Sequence, residues 1–353
     1  MRSSSSLILV NFGGPRNKEE IAPFLTELLT DRDVVRTPLP SPLHRLLFTR
    51  IARKRAQKIG VDYDAIGGRS PIYFDTEEIG NFLRRATGSS VVVFHRYLPS
   101  THRDTLRQIE SCPTDQILVL PLFPQFCYAT TGSIARFFAK RLCCRTLDKL
   151  RWIHSYAAHP SYIAAFRKRI ADFLQQQQLV LSETLLLFSA HGVPRSFSCE
   201  GDPYESECRL SFDQIRAAFP EAAAVLSFQS KFGKGEWLRP YTDETCAQIR
   251  SIASHARNVV VVPLSFTSDH IETLFEIEFQ YLPILRSQGV QAFRCPALNL
   301  EPYWLSALPS LLQSPPTTTA MLIRNPAYED VYKVRFCRFF SSFEPSCRPQ
   351  IGG

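Results

Sequence analysis

Apolar positions along the chain come in short unbroken runs separated by longer segments of helical spacing. Runs of strand length lie at residues 7–12, 91–97, 116–122 and 150–153. Between them, apolar residues recur three and four apart over 18–29, 75–87, 101–111 and 132–142, which predicts helices. Pro38, Pro40 and Pro42 break the chain before a further helical stretch, and Gly67, Gly68 and Pro71 mark a turn. The order then restarts. A long helix is expected over 160–178, with strands at 184–190, 223–228, 258–264 and 290–294 and helical runs between them. Alternating strands and helices predict an α/β fold. Strands that are apolar at successive positions, rather than at every second one, predict parallel sheets covered on both faces.

The restart reads as an internal duplication. Leu7–Pro15 (LILVNFGGP) resembles Leu185–Pro194 (LLLFSAHGVP), and Val119–Phe123 (VLPLF) resembles Val261–Phe266 (VVPLSF). Two similar halves, each a small parallel sheet, would meet at a cleft. The expected division is an N-terminal lobe over 1–150, a C-terminal lobe over 151–315, and a C-terminal extension of unknown role over 316–353. In open α/β sheets the ligand sits beyond the carboxyl ends of the strands. The segments meeting that rule are 13–15, 123–132, 191–194 and 266–272.

Composition narrows the class. At about 100–200 residues per domain, 353 residues suit two domains, or three at most. Hydrophobic residues are 44% and charged residues 21%, with a mean hydropathy of −0.10. No apolar run approaches the roughly 20 residues that span a bilayer. The first apolar run begins almost at once and is too short for a secretory signal, so a cytoplasmic protein is expected. Ten cysteines include no Cys-x-x-Cys pair and no zinc-finger spacing, which reads as free thiols. A net charge of +8 is modest, and no nucleic-acid-binding module accompanies it. Between Asp33 and Asp62 there is no acidic residue, whereas Arg45, Arg50, Arg53, Lys54, Arg55 and Lys58 crowd together. Leu43, Leu46, Leu47 and Ile51 share that stretch at helical spacing. It reads as a solvated helix face, a contact for an acidic substrate, or peripheral contact with an anionic membrane.

The common catalytic signatures are missing. There is no P-loop, no G-x-G-x-x-G after a strand, no H-E-x-x-H and no G-x-S-x-G elbow. What remains at the strand ends is His191, followed by Gly192, and Glu272 in Ser268-Asp269-His270-Ile271-Glu272. A histidine closing a strand is often structural. Asp269 with Glu272 three residues on also fits a helix-capping box. Glu276 and Gln280 continue the Glu272 face of that helix. A neutral imidazole facing a carboxylate could bind a divalent transition metal or remove protons. Phe12, Phe123, Phe126, Phe266 and Phe275 stand near the same ends, as core or as walls for a flat apolar ligand.

At these residues the sequence resembles ferrochelatases, which insert ferrous iron into a porphyrin. The most specific segments are Phe188–Pro194 (FSAHGVP) and Phe266–Leu274 (FTSDHIETL). Gly67–Ile72, Arg96-Tyr97, Thr130–Ser133, Gly201–Tyr204, Gln229–Lys231, Trp237-Leu238 and Asp31–Asp33 support them. The resemblance implies two Rossmann-like lobes around a porphyrin cleft, with the metal site on the C-terminal lobe. It implies that His191 and Glu272 are catalytic and hold the metal, and that Glu276 continues a proton or metal path. It also implies that Arg55, Ser70, Arg96, Tyr97 and Phe266 contact the porphyrin. The partners are then a porphyrin and Fe²⁺, with no nucleic acid and no cofactor beyond the substrate iron. Some relatives carry a 2Fe–2S cluster on cysteines. Here Tyr128 stands at the internal cluster position and the tail offers only Cys337 and Cys347, so no cluster is expected. Protoporphyrin IX is the expected substrate, with coproporphyrin III as the alternative within the family. A non-catalytic bilobal protein binding tetrapyrrole or metal is the alternative outside it. The oligomeric state is not legible.

Overall fold

The computed structural model describes residues 6–233 and 235–323, the side chains of Met321 and Ile323 excepted. Strands β1 (Ser6–Asn11), β2 (Ser90–His95), β3 (Ile117–Pro121) and β4 (Leu150–Ile153) form a parallel sheet in the order β2-β1-β3-β4. Strands β5 (Thr184–His191), β6 (Ala223–Gln229), β7 (Asn258–Pro263) and β8 (Gln291–Arg294) form a second one in the matching order β6-β5-β7-β8. The duplication seen in sequence is therefore also a duplication of topology. The inner strands β1, β5 and β7 are buried nearly end to end, as helices on both faces require. A ninth strand, β9 (Pro316–Thr318), returns to the first sheet and pairs antiparallel with β4. The first sheet thus draws on chain beyond residue 150. Of the C-terminal extension, residues 324–353, with Cys337 and Cys347, lie outside the described residues.

Pairing register aligns the two halves residue by residue. Val10 faces Pro121 across the first sheet as Ser189 faces Pro263 across the second. The amide of Leu122 donates to Val10 and that of Leu264 to Ser189, at 2.9 and 3.0 Å. Counting on from these pairs, Phe12 occupies in the first lobe the place of His191 in the second, and Gly13 that of Gly192. Both halves also follow their third strand with a π-helical segment, Tyr128–Gly132 and Glu272–Tyr281.

Helices begin where the sequence offers a proline in the first turn, at Pro71, Pro99, Pro160 and Pro302. The helix expected from residue 75 accordingly starts four residues earlier, at Pro71. Helix Pro302–Leu311 packs on both Pro160–Gln176 and Pro71–Thr87, so one core joins the lobes. It contains Leu9 and Leu83 from the first half and Phe188 and Trp304 from the second. Hydrogen bonds cross between the lobes as well. Asp202 accepts the Tyr128 amide at 2.8 Å, and Glu207 accepts that of Phe126 at 2.7 Å.

The basic stretch is a single helix, Ser41–Ala65. Its inward face is His44, Phe48, Ala52 and Tyr63. Leu43, Leu46 and Leu47 point outward and are 55%, 53% and 44% exposed. Three of the four apolar positions seen in sequence therefore mark the outer face of this helix, whereas Ile51 packs on the core. No helix among the described residues is long and apolar enough to cross a membrane.

Candidate active site

His191 ends β5, and Glu272 opens the π-helical segment after β7. These strands are neighbours, and the chain leaves β5 toward β6 on one side and reaches β7 on the other. Such a switch point opens a crevice in the sheet edge. It brings His191 Nδ1 to 3.0 Å from Glu272 Oε2. The nitrogen makes no aligned hydrogen bond with that oxygen or with any other group. Both side chains keep contact with the cleft, at 36% and 27% exposure. An imidazole nitrogen and a carboxylate oxygen converging in this way could hold a borderline cation such as Fe²⁺. Among the described residues no group of three or more His, Cys, Asp or Glu side chains is arranged to hold a metal ion.

Gly192 is required beside the histidine for space. A Cβ there would lie 2.7 Å from the carbonyl oxygen of Gln229, which accepts the Gly192 amide.

The capping box does not form. Asp269 accepts from Thr273 Oγ1 at 2.7 Å, from Arg294 at 2.9 Å and from Asn299 at 2.8 Å, and its amide goes to Asn299. Glu272 is thereby left to the histidines. His270 Nε2 lies 3.5 Å from Glu272 Oε2. Sequence reasoning missed His270 as a site residue, although it stands two positions before Glu272 in the same motif. Phe266 walls the site, with its ring 6.3 Å from that of His191 and 4.8 Å from that of His270. Of the other expected aromatics, Phe12 packs on Tyr97, Phe126 on His154 and Phe275 on Phe279.

Beyond Glu272 the helix departs from the expected α form. The segment through Glu276 is π-helical, a rare geometry concentrated at functional sites. Glu276 Oε2 accepts from Ser230 Oγ at 2.6 Å and from Gln229 Nε2 at 3.3 Å. Gln229 Nε2 also donates to the Glu272 carbonyl at 3.0 Å, tying both acids to the end of β6.

The charges are strongly linked. Burial works against a charged His191, but the negative charge of Glu272 outweighs it and raises the imidazole above its ordinary value. Burial likewise opposes ionisation of Glu272, yet the His191 charge holds that carboxyl well below the usual range. Burial, then the Glu272 charge, pushes Glu276 up to about 7. Burial also raises the Tyr63 phenol, and Glu272 adds to it, which puts the basic helix alongside the acid.

The remaining expected residues make their contacts on other segments. Ser70 is buried, with its amide on Pro15, against Gly14, where a Cβ would come within 2.5 Å of it. Arg55 stacks on Phe232, just after β6, at 4.5 Å. Arg96 and Tyr97 are bonded to groups of their own lobe. Arg96 donates to Asp31 at 2.8 Å, to Glu27 at 3.0 Å and to Ser133 at 3.0 Å, and Tyr97 donates to Asp31 at 3.0 Å. Both are buried in the first lobe. A groove of about 660 Å³ lies between Ala65-Ile66 and the π-helical segment, lined by Leu274, Glu278 and Phe279. Neither His191 nor Glu272 lines it.

Two similar lobes of parallel sheet thus place a histidine–carboxylate pair at the switch point of the second. Comparisons with known proteins give the class. The ferrochelatase family model matches residues 4–315. The ferrochelatase of Chlamydia caviae is 44% identical over 312 residues, covering 88% of this chain and 96% of that protein. That of Chlamydia pneumoniae is 43% identical over 318 residues, covering 90% and 95%. A Deinococcus radiodurans multi-domain protein described as structurally similar to chelatases matches at a TM-score of 0.51 and 12% identity. That likeness covers 90% of this chain and 56% of the other, and concerns the fold. The chain belongs to the ferrochelatase family. It is an enzyme that inserts ferrous iron into a porphyrin, a step of heme formation.

Proposed function

We propose that the porphyrin is protoporphyrin IX and that His191 and Glu272 carry the chemistry. The observation supporting this is the 3.0 Å approach of His191 Nδ1 to Glu272 Oε2 beside the Phe266 ring. Metallation must bring Fe²⁺ to the ring nitrogens and remove two pyrrole protons. The imidazole and the carboxylate offer Fe²⁺ one nitrogen and one oxygen, leaving its other positions open to the porphyrin. Once the ring nitrogens take the ion, the freed His191 imidazole accepts the two pyrrole protons in turn, passing the first to the Glu276 carboxylate. Glu272 raises the basicity of this imidazole, and Glu276, pushed up to about 7, stands ready to take a proton from it. Glu276 forms the start of the proton or metal path. Phe266 offers the macrocycle an apolar wall, while Ser70 and Arg55 flank it, the guanidinium suiting a propionate. Arg96 and Tyr97 act from behind the pocket, through Asp31 and Ser133.

Exposed Leu43, Leu46 and Leu47 on a helix that also bears Arg45, Arg50, Arg53 and Lys54 favour peripheral contact with an anionic bilayer from the cytoplasm. No iron–sulfur cluster takes part. Cys127 is buried and donates to Asp202. Stoichiometric acid-labile sulfide in the purified protein would contradict this.

The test is anaerobic insertion of Fe²⁺, or Zn²⁺ as surrogate, into protoporphyrin IX and coproporphyrin III, followed by absorbance, with His191→Ala alongside. Turnover of protoporphyrin, lost in the variant, is expected. Preferential turnover of coproporphyrin would reassign the substrate. Tight binding of porphyrin with no turnover would replace the enzyme with a carrier.

A further inference from the structure

We propose that the Tyr204 hydroxyl is a positioning group for His191. The reason lies in how the second sheet ends. In a parallel sheet, alternate residues of a strand direct both backbone groups to the same neighbour. Ser189 faces β7, where its carbonyl accepts the Leu264 amide at 3.0 Å. Two residues on, the amide and carbonyl of His191 face the same side. There β7 has already stopped pairing, its last partner being Pro263 opposite Ser189. His191 still pairs on its other side, with Gly192 donating to Gln229 at 2.8 Å. The strand that carries the histidine is therefore held along one edge only by the ladder.

Side chains replace the missing ladder bonds. Ser265 Oγ accepts the His191 amide at 2.9 Å, and Tyr204 donates its hydroxyl to the His191 carbonyl at 2.9 Å. Tyr204 is buried at the start of helix Tyr204–Arg216, and burial raises its phenol, so it stays a donor throughout the working pH range. The clamp reaches the other lobe. Asp202 accepts the Tyr204 amide at 3.0 Å and the Tyr128 amide, from the first lobe, at 2.8 Å. Tyr204 thus keeps the crevice open beside β7 without letting the strand end fray, and sets where the imidazole stands relative to Glu272.

The inference rests on His191 being the reacting histidine. Tyr204→Phe removes one hydroxyl and keeps the ring. The experiment compares it with the unaltered enzyme and with His191→Ala, reading kcat for Zn²⁺ insertion, porphyrin affinity by fluorescence, thermal unfolding, and the His191 ring signals by NMR. Expected for Tyr204→Phe are a kcat lower by about ten-fold, porphyrin affinity within two-fold of wild type, little change in melting temperature, and shifted or broadened His191 signals. Unchanged kcat and ring signals, with His191→Ala inactive, would overturn the positioning role alone. A fall in porphyrin affinity and melting temperature in step with kcat would also overturn it, by showing a merely structural tyrosine. An active His191→Ala would overturn the reading beneath it. Should Tyr204→Phe not fold, Ser265→Ala, which cuts the other half of the clamp, is read by the same criteria.

Discussion

His191 and Glu272 face each other at 3.0 Å from the ends of two adjacent strands, β5 and β7. Their pairing is electrostatic as much as geometric, since each favours the charged form of the other. Glu272→Gln keeps the shape and removes the charge. The His191 pKa should then fall, and the acid limb of the pH–rate profile should move to lower pH. The rate at its optimum should drop by about 10²–10⁴-fold, the range for loss of a general acid–base partner. A profile that keeps its acid limb in place would separate that limb from His191.

Glu276 should make the enzyme less stable as the medium becomes alkaline. Its folded pKa is about 7, above the 4.5 of a free carboxyl. The folded state therefore binds more protons than the unfolded chain between those values, and stability falls as pH rises through that window. Glu276→Gln should melt higher than wild type at pH 8 and close to it at pH 5. Thermal unfolding at the two pH values decides; equal differences at both would mean that the acid is not held protonated.

Asp31 works in the opposite sense. Burial opposes its charge, but Arg96, Ser133 and Tyr97 prevail, and the folded pKa lies below the ordinary carboxylate value. Its contribution is present above the unfolded pKa and is lost as pH falls through the folded one. Arg96→Met leaves this carboxylate buried without its cation and should cost about 3–5 kcal/mol. Adding Asp31→Asn should recover part of that loss. Chemical denaturation of the single and double variants measures it, and a fully additive double variant would show the pair to be independent.

Gly192→Ala should destabilise by about 1–3 kcal/mol, because the new methyl meets backbone rather than a movable side chain. The displaced strand end should also lower activity. An alanine variant with wild-type melting temperature and rate would mean that β6 yields freely at Gln229.

Leu46→Glu on the outer face of helix Ser41–Ala65 should weaken flotation with anionic vesicles at low salt and leave insertion into detergent-solubilised porphyrin intact. Absence of flotation by the unaltered protein would remove the membrane contact.

Much of this protein was legible in its residues. Unbroken apolar runs such as Val259–Val262, β-branched throughout, read as strands covered on both faces, because a half-exposed strand would alternate. Repetition of Gly-x-Pro after β1 and β5 disclosed two halves, and the Phe188–Pro194 and Phe266–Leu274 segments located His191 and Glu272. Other features rest on contacts between distant parts of the chain. Apolar spacing in the basic helix could not say which face turns inward, and packing chose His44 and Phe48 over Leu43 and Leu47. Asp269 and Glu272 matched a capping box until Asn299 and Arg294 claimed the aspartate. The resemblance set Arg96 and Tyr97 beside the porphyrin, and only folding shows that Asp31, from another segment, accepts from both. The alternation of strands and helices, the doubling of the lobe and the candidate His191–Glu272 pair could all be read along the chain, because local pattern and burial specify them. Which polar groups are spent on one another, and which face the cleft, emerged only with folding, because that depends on side chains brought together from opposite ends of the sequence.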